Sequence, residues 1–162
     1  MDRFTGTCEE LCEVDPSALV EWIASIPLDD WPQQDRMTAE YPYPAMVSRP
    51  DWHDFHETVQ PIVSELMEHF PAGTWPDHKM ISMVVPGQHV EPHDDIQSET
   101  WRVRVHVPLV SNEGALMTIG GEDHHLEVGK AYLVNTEVEH SLANLGDENR
   151  IHFFFDVREG SK

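Results

Sequence analysis

His93-Asp94-Asp95 sets a histidine and a carboxylate two residues apart. Side chains of an extended chain alternate, so His93 and Asp95 face one side and can bind one ion. A second histidine from a distant strand would complete a two-histidine, one-carboxylate face with three adjacent positions open, the arrangement used by non-heme Fe(II) oxygenases. His140 is the best candidate. His89 and the pair His124-His125 compete with it, and in a chain with eleven histidines the triplet alone is a weak signal whose default explanation is a surface His-Asp turn.

The residues that follow change the balance. Arg150 stands at the head of the apolar strand Ile151-His152-Phe153-Phe154-Phe155-Asp156. A cation entering a buried strand needs an anionic partner, and the planar guanidinium fork suits a carboxylate. In Trp101-Arg102-Val103-Arg104-Val105-His106 the alternation puts Arg102, Arg104 and His106 on one face and Trp101, Val103 and Val105 on the other. One face is thus positive in a very acidic protein. Ion pairs with nearby acids such as Glu99 are the alternative explanation. A metal with an anion receptor beside it accounts for both stretches.

Elements must position these groups. Leu19, Val20, Ile23 and Ile26 predict a short helix over about residues 15–25, with Asp15 as its cap and Pro16 in its first turn. Phe55, Val59, Ile62, Val63, Leu66, Met67 and Phe70 predict a second over about 52–69, where Pro61 is a kink or the true start. Between them, residues 27–50 read as an irregular covering segment rich in Pro, Asp and Gln, with Trp31, Tyr41 and Tyr43 as anchors. Whether it forms a lid is not legible. Cys8 and Cys12 are spaced for one face of a helix and are given no function.

After Pro76 the period changes to two. Strands are expected at Lys79 to Val85, Trp101 to Val110, Ala115 to Ile119, His125 to Val128, Ala131 to Asn135 and Ile151 to Val157. Turn signals such as Pro86-Gly87, Asn112-Glu113-Gly114, Gly120-Gly121 and Gly146-Asp147 separate them. This is a mainly β, α+β pattern: a small antiparallel barrel or double-sheet roll, with N-terminal helices bracing one sheet. One domain over 1–162 is expected, with 1–76 as helical and irregular support and 77–158 as the β-barrel core.

Thirty acidic against ten basic residues give a formal charge of −20, a field that repels polyanions. Nucleic acid is therefore not an expected partner. With no run of eighteen apolar residues and no basic N-terminal signal, a soluble, cytoplasmic protein without membrane attachment is expected. Oligomeric state is not legible.

In order, Ser82, Pro86-Gly87, Pro92-His93, Arg102-Val103-Arg104-Val105-His106, Gly129-Lys130, His140, Asn144, Arg150 and Phe155-Asp156-Val157 resemble a known family. It is the aspartyl/asparaginyl β-hydroxylase-like branch of the Fe(II)- and 2-oxoglutarate-dependent dioxygenases, which also includes bacterial free-proline hydroxylases. The resemblance runs from Ser82 to Arg158, and its specificity lies in the combination. It implies a double-stranded β-helix, the jelly-roll or cupin-like barrel, with Fe(II) held by His93, Asp95 and His140. It further implies 2-oxoglutarate on the iron, with Arg104 and His106 near its inner carboxylate and Arg150 with Ser82 on the distal one. Arg102 stays unassigned, because only some of these basic side chains can reach one small ligand. Animal members that hydroxylate protein aspartate and asparagine have glycine where this chain has Asp95, so this chain carries the more usual triad.

The activity implied is O2-dependent hydroxylation of an amino acid, free or within a peptide, coupled to decarboxylation of 2-oxoglutarate to succinate. Asn135 and Asn144 are candidates for orienting ligands, or for forming turns. Two other readings share the barrel. A non-catalytic carboxylate-binding or sensor module has no need of the open triad, and a cupin-like metalloenzyme without 2-oxoglutarate leaves Arg150 and the Arg104-His106 pair without a role.

Overall fold

In the computed structural model, which describes residues 4–31, 46–47, 54–95 and 100–160, the chain runs β1 (Cys8–Glu13), α1 (Ser17–Ala24), β2 (Met46–Val47), α2 (Phe55–Met67), β3 (Thr74–Val84), β4 (His89–His93), β5 (Trp101–Val110), β6 (Ala115–Ile119), β7 (Glu122–His124), β8 (Lys130–Val134), β9 (His140–Asn144) and β10 (Arg150–Glu159). Most of the covering segment, with Tyr41 and Tyr43, lies outside the described residues, as do Glu99 and the side chains of Trp101 and Arg102. No helix among the described residues is long and apolar enough to cross a membrane.

The strands form a six-stranded sheet in the order β1-β8-β5-β10-β3-β2 and a four-stranded sheet in the order β4-β9-β6-β7. Neighbours in both are antiparallel. The strand pattern's expectation of a double-sheet roll holds, and the fold is the double-stranded β-helix that the family resemblance implies.

Alternation along the central strands divides the larger sheet into two faces. Phe153, Phe155 and Val157 of β10 join Val103, Val105 and Val107 of β5 in a core with Leu19, Ile23, Val59 and Leu66 of the helices. The intervening residues of β10 are Arg150, His152, Phe154 and Asp156, and they share the opposite face, toward the smaller sheet. A smaller apolar cluster of Met117, Ile119, Leu126, Tyr132 and Val134 fills part of the space between the sheets.

The helices brace the larger sheet, as their stripes predict. Phe55, Val59, Ile62, Val63 and Leu66 are the buried positions of α2, and the Phe55 ring meets Phe153 edge-on at 6.4 Å. Truncating the fully buried Phe153 to alanine would cost about 3–5 kcal/mol. Pro61 is accommodated inside α2 and does not start it. The cap of α1 is Pro16, with Asp15 one step outside accepting a hydrogen bond from the Ser17 N–H. Trp31, the described aromatic of the covering segment, is a core residue.

Three expectations are corrected. Cys8 and Cys12 lie on a strand: β1 pairs with β8 along the edge of the larger sheet, and a bulge between Glu10 and Cys12 breaks the period of two. Burial pushes the Cys8 thiol up to about 11, helped by Glu9, which suits an inert thiol. Residues before 77 therefore include sheet as well as support, since β1, β2 and the start of β3 fall there. Finally, no strand forms at His125 to Val128. Gly120 and Gly121 both take positive φ, 58° and 82°, and make a two-residue hairpin turn that pairs Ile119 directly with Glu122, so β7 begins at once.

Candidate active site

β4 and β9 are adjacent antiparallel strands of the smaller sheet, and their register sets His93 directly opposite His140. The two rings lie 4.3 Å apart, centroid to centroid. Each Nδ1 meets the backbone carbonyl two residues earlier, His93 to Glu91 O at 2.8 Å and His140 to Val138 O at 2.9 Å. A carbonyl only accepts, so each ring carries its proton on Nδ1 and keeps a free lone pair on Nε2. This is the tautomer a metal-binding histidine needs.

Asp95 follows the end of β4, where its backbone N–H donates to Thr136 O at 2.9 Å and ties it to the chain approaching β9. One ligand atom from each of His93, Asp95 and His140 falls within 4.8 Å of the others. Asp95 Oδ2 is buried without an aligned hydrogen-bond donor. Two imidazole lone pairs and one such carboxylate oxygen are a donor set that fits Fe(II) with positions left open.

Arg104 braces the Asp95 carboxylate. Its Nη1 lies 2.9 Å from Asp95 Oδ2, an ion-pair contact off the line of a hydrogen bond. The other edge grips Asp156, with Nε to Oδ1 at 2.8 Å and Nη2 to Oδ2 at 3.3 Å. Burial opposes the Arg104 charge, but Asp156 and Asp95 more than offset it and hold the pKa above its ordinary value. The guanidinium also lies over the Phe154 ring at 5.0 Å.

The triad opens on a cavity of about 250 Å³ between the sheets, whose far wall includes Ser82, His106, Met117 and Arg150. Arg150 is 3% exposed. It donates to Ser82 Oγ at 3.2 Å and contacts Met117 Sδ at 3.4 Å, both uncharged. Among the described residues no carboxylate pairs with it. Burial pushes its pKa down to about 9, so it remains a cation at neutral pH, inside a cavity and short of an anion.

His93, Asp95, His140, Ser82, Arg104, His106 and Arg150 are thus brought to one cavity. The competing histidines go elsewhere: His89 pairs with the exposed Glu91 at 2.6 Å, His125 meets Ala115 O at 3.1 Å, and His124 lies 3.8 Å from Glu122.

The sequence profile of the Aspartyl/Asparaginyl beta-hydroxylase family matches residues 37–159. The chain belongs to this family. No curated protein sequence matches it significantly. Among solved structures, the viral collagen prolyl hydroxylase of Paramecium Bursaria Chlorella virus-1, in complex with 2OG, is similar with a TM-score of 0.66 at 11% identity, over 96% of this chain and 98% of that one. A prolyl-4-hydroxylase from Pseudomonas putida also gives 0.66, at 13% identity over 97% and 95%. An oxidoreductase of the 2OG-Fe(II) oxygenase family from Burkholderia pseudomallei gives 0.52, at 11% identity over 63% and 57%. These likenesses establish the shared barrel fold.

Sequence reasoning names Asp156 within the Phe155-Asp156-Val157 motif but gives no role to it or to His152; Asp156 anchors Arg104, and His152 touches His106 through Nδ1 atoms 3.3 Å apart. The available signal was alternation continued from Arg150 along β10. It also leaves open the two asparagines, which prove to be structural. Asn144, 0% exposed, donates to Val84 O and Glu148 O and accepts from Asn112 and Gly146, fixing the turn before Arg150. Asn135 donates to Gly6 O and accepts from the Glu137 N–H.

Proposed function

We propose that this family member is an Fe(II)- and 2-oxoglutarate-dependent dioxygenase that hydroxylates an amino acid, free or within a peptide. The observation that carries the reading is one cavity holding both an open His93-Asp95-His140 donor set and a buried arginine without a carboxylate partner among the described residues. A pure carboxylate binder has no use for the first, and a metalloenzyme without a dicarboxylate cosubstrate has none for the second.

Bound Fe(II), with O2, supplies the chemistry that couples decarboxylation of 2-oxoglutarate to hydroxylation of the substrate. The chain's own residues do the rest. His93 and His140 would hold the ion through Nε2 and Asp95 through a carboxylate oxygen, a three-residue donor set that would leave it able to take further ligands. Arg150 and Ser82 take the distal carboxylate of 2-oxoglutarate, whose charge relieves the buried guanidinium. His106 lines the same cavity and offers its Nε2 to the bound anion. Arg104 already carries Asp95 and Asp156, and we assign it to fixing the Asp95 ligand in place of contacting the cosubstrate. That two of the similar structures are prolyl hydroxylases supports an amino-acid residue as the prime substrate.

The test is a panel of free amino acids and short peptides screened for substrate-stimulated succinate formation by the Fe(II)-loaded protein, with mass spectrometry of the stimulated reaction. The expected result is one or more substrates that raise succinate output and gain one oxygen atom. Succinate formation that no substrate stimulates, with no oxygen gained by any, would count against the reading.

A further inference from the structure

We propose that His152 is a positioning residue that fixes the tautomer of His106, so that His106 presents an Nε2–H donor to the anion held in the cavity. The two histidines lie on neighbouring strands of the larger sheet, β5 and β10, with their Nδ1 atoms 3.3 Å apart. His106 lines the cavity and His152 stands behind it. Both are buried, at 4% and 1% exposure. The His106 ring is stacked on Phe154 at 5.0 Å and meets His152 edge-on at 5.6 Å, which restrains it from turning to exchange its nitrogens.

Burial, reinforced by the Arg150 charge, holds both imidazoles neutral. Two neutral rings whose Nδ1 atoms face each other share one proton between them. The ring that donates through Nδ1 has a bare Nε2, and the ring that accepts carries its own proton on Nε2. Two independent features of the surroundings choose between the arrangements.

The first is His152 Nε2, which is buried with no hydrogen-bond partner among the described residues. A buried N–H without an acceptor is rarer in proteins than an under-satisfied acceptor, so the His152 proton belongs on Nδ1, where His106 can receive it. The second is the cavity itself. With Nδ1 engaged, Nε2 is the nitrogen His106 has left for a ligand, and the ligand that Arg150 calls for is an anion. An anion accepts a hydrogen bond from Nε2–H and is repelled by a lone pair there. Both features put one proton on His152 Nδ1 and the other on His106 Nε2. Only the second feature rests on the proposed function; the first stands on the apo protein alone.

The experiment uses the full chain labelled with 15N-histidine. Long-range 1H–15N correlation spectra report the tautomer of each ring, first without ligand and then with Zn(II) and 2-oxoglutarate. The expected pattern is Nε2–H for His106 and Nδ1–H for His152 in both states. Finding His106 as Nδ1–H overturns the inference without any variant having to fold. In His152→Phe the donor is lost, so His106 should redistribute between tautomers, and 2-oxoglutarate binding to the Zn(II) form, by calorimetry, should weaken about tenfold. His152→Gln, which returns an amide donor, should recover most of that loss. A His152→Phe protein with unchanged tautomer and affinity contradicts the proposal. If the wild type shows the expected tautomers yet binds no 2-oxoglutarate, the tautomer assignment stands and the functional reading falls.

Discussion

Arg104 and Asp156 form a two-pronged pair, at 2.8 and 3.3 Å, that leaves the remaining guanidinium nitrogen against Asp95. The proposed metal ligand Asp95, two residues past the end of β4, is thereby referred back to β10, at the centre of the larger sheet. The prediction concerns metal affinity. Arg104→Met should weaken Co(II) binding about 10–100-fold, and Asp156→Asn should weaken it in the same direction through Arg104. Spectral titration with Co(II) checks both. If Arg104→Met leaves Co(II) affinity untouched and instead abolishes 2-oxoglutarate binding, Arg104 is a cosubstrate ligand and its assignment here is wrong.

Arg150 carries a buried charge that no carboxylate among the described residues neutralises, so its removal should separate binding from stability. Arg150→Met should raise the Kd for 2-oxoglutarate at least about tenfold. The same change should stabilise the metal-free fold by about 1–3 kcal/mol, because the buried cation is gone. Urea unfolding of the apo proteins measures the second effect. A destabilised Arg150→Met would mean that the charge already has a stabilising partner.

Stability should also depend on pH below about 6.5. Burial lowers the pKa of His106 and His152 well below the ordinary value, and Arg150 pushes the same way on both; Arg104 and His140 add to it at His106, and His125 at His152. Between the folded pKa values and 6.5 the unfolded chain binds the two protons that the folded chain refuses, so stability rises with pH in that window and is lost as pH falls through it. Each histidine contributes up to about 1.4 kcal/mol per pH unit. Urea unfolding between pH 7 and pH 5 should show this slope, reduced by one proton in His152→Phe; equal slopes in the two proteins would remove His152 from the account.

His78 is a non-glycine residue at φ 49° in a bulge of β3 opposite β10, and it lines the cavity from an exposed position. Bulges of this kind re-aim a side chain at a barrel rim. His78→Gly should therefore raise the KM of the prime substrate several-fold while leaving 2-oxoglutarate binding and stability intact. A loss confined to 2-oxoglutarate affinity would put His78 at the wrong end of the cavity.

The parts of the fold that could be read in the sequence are those with a clean period. Trp101 to Val110 is legible to the residue because valines alternate with basic side chains, and α2 is legible from its apolar stripe. The strands that carry His93 and His140 are not, since β4 is His-Val-Glu-Pro-His with little buried, and β9 is five residues buried mainly at its ends. Edge strand β1 is not legible because a spacing of four puts Cys8 and Cys12 on one face of a helix and of a regular strand alike, and the bulge between Glu10 and Cys12 then breaks the strand's own period. Within the site, the residue types that could hold a metal are legible as a motif, whereas Asp156 is legible only within Phe155-Asp156-Val157, without a role, and His152 lies in an apolar run. Their roles depend on which residues of β5 lie opposite them, and strand register is a property of the whole sheet.

The central claim, one metal and one dicarboxylate in a single cavity, is tested most directly by anaerobic visible spectroscopy of the apo protein titrated with Fe(II) and 2-oxoglutarate. An absorption band that needs both additions, disappears in His93→Ala and requires far more 2-oxoglutarate in Arg150→Met is the result expected. A wild-type protein that gives no such band, or one whose band survives in His93→Ala, contradicts it.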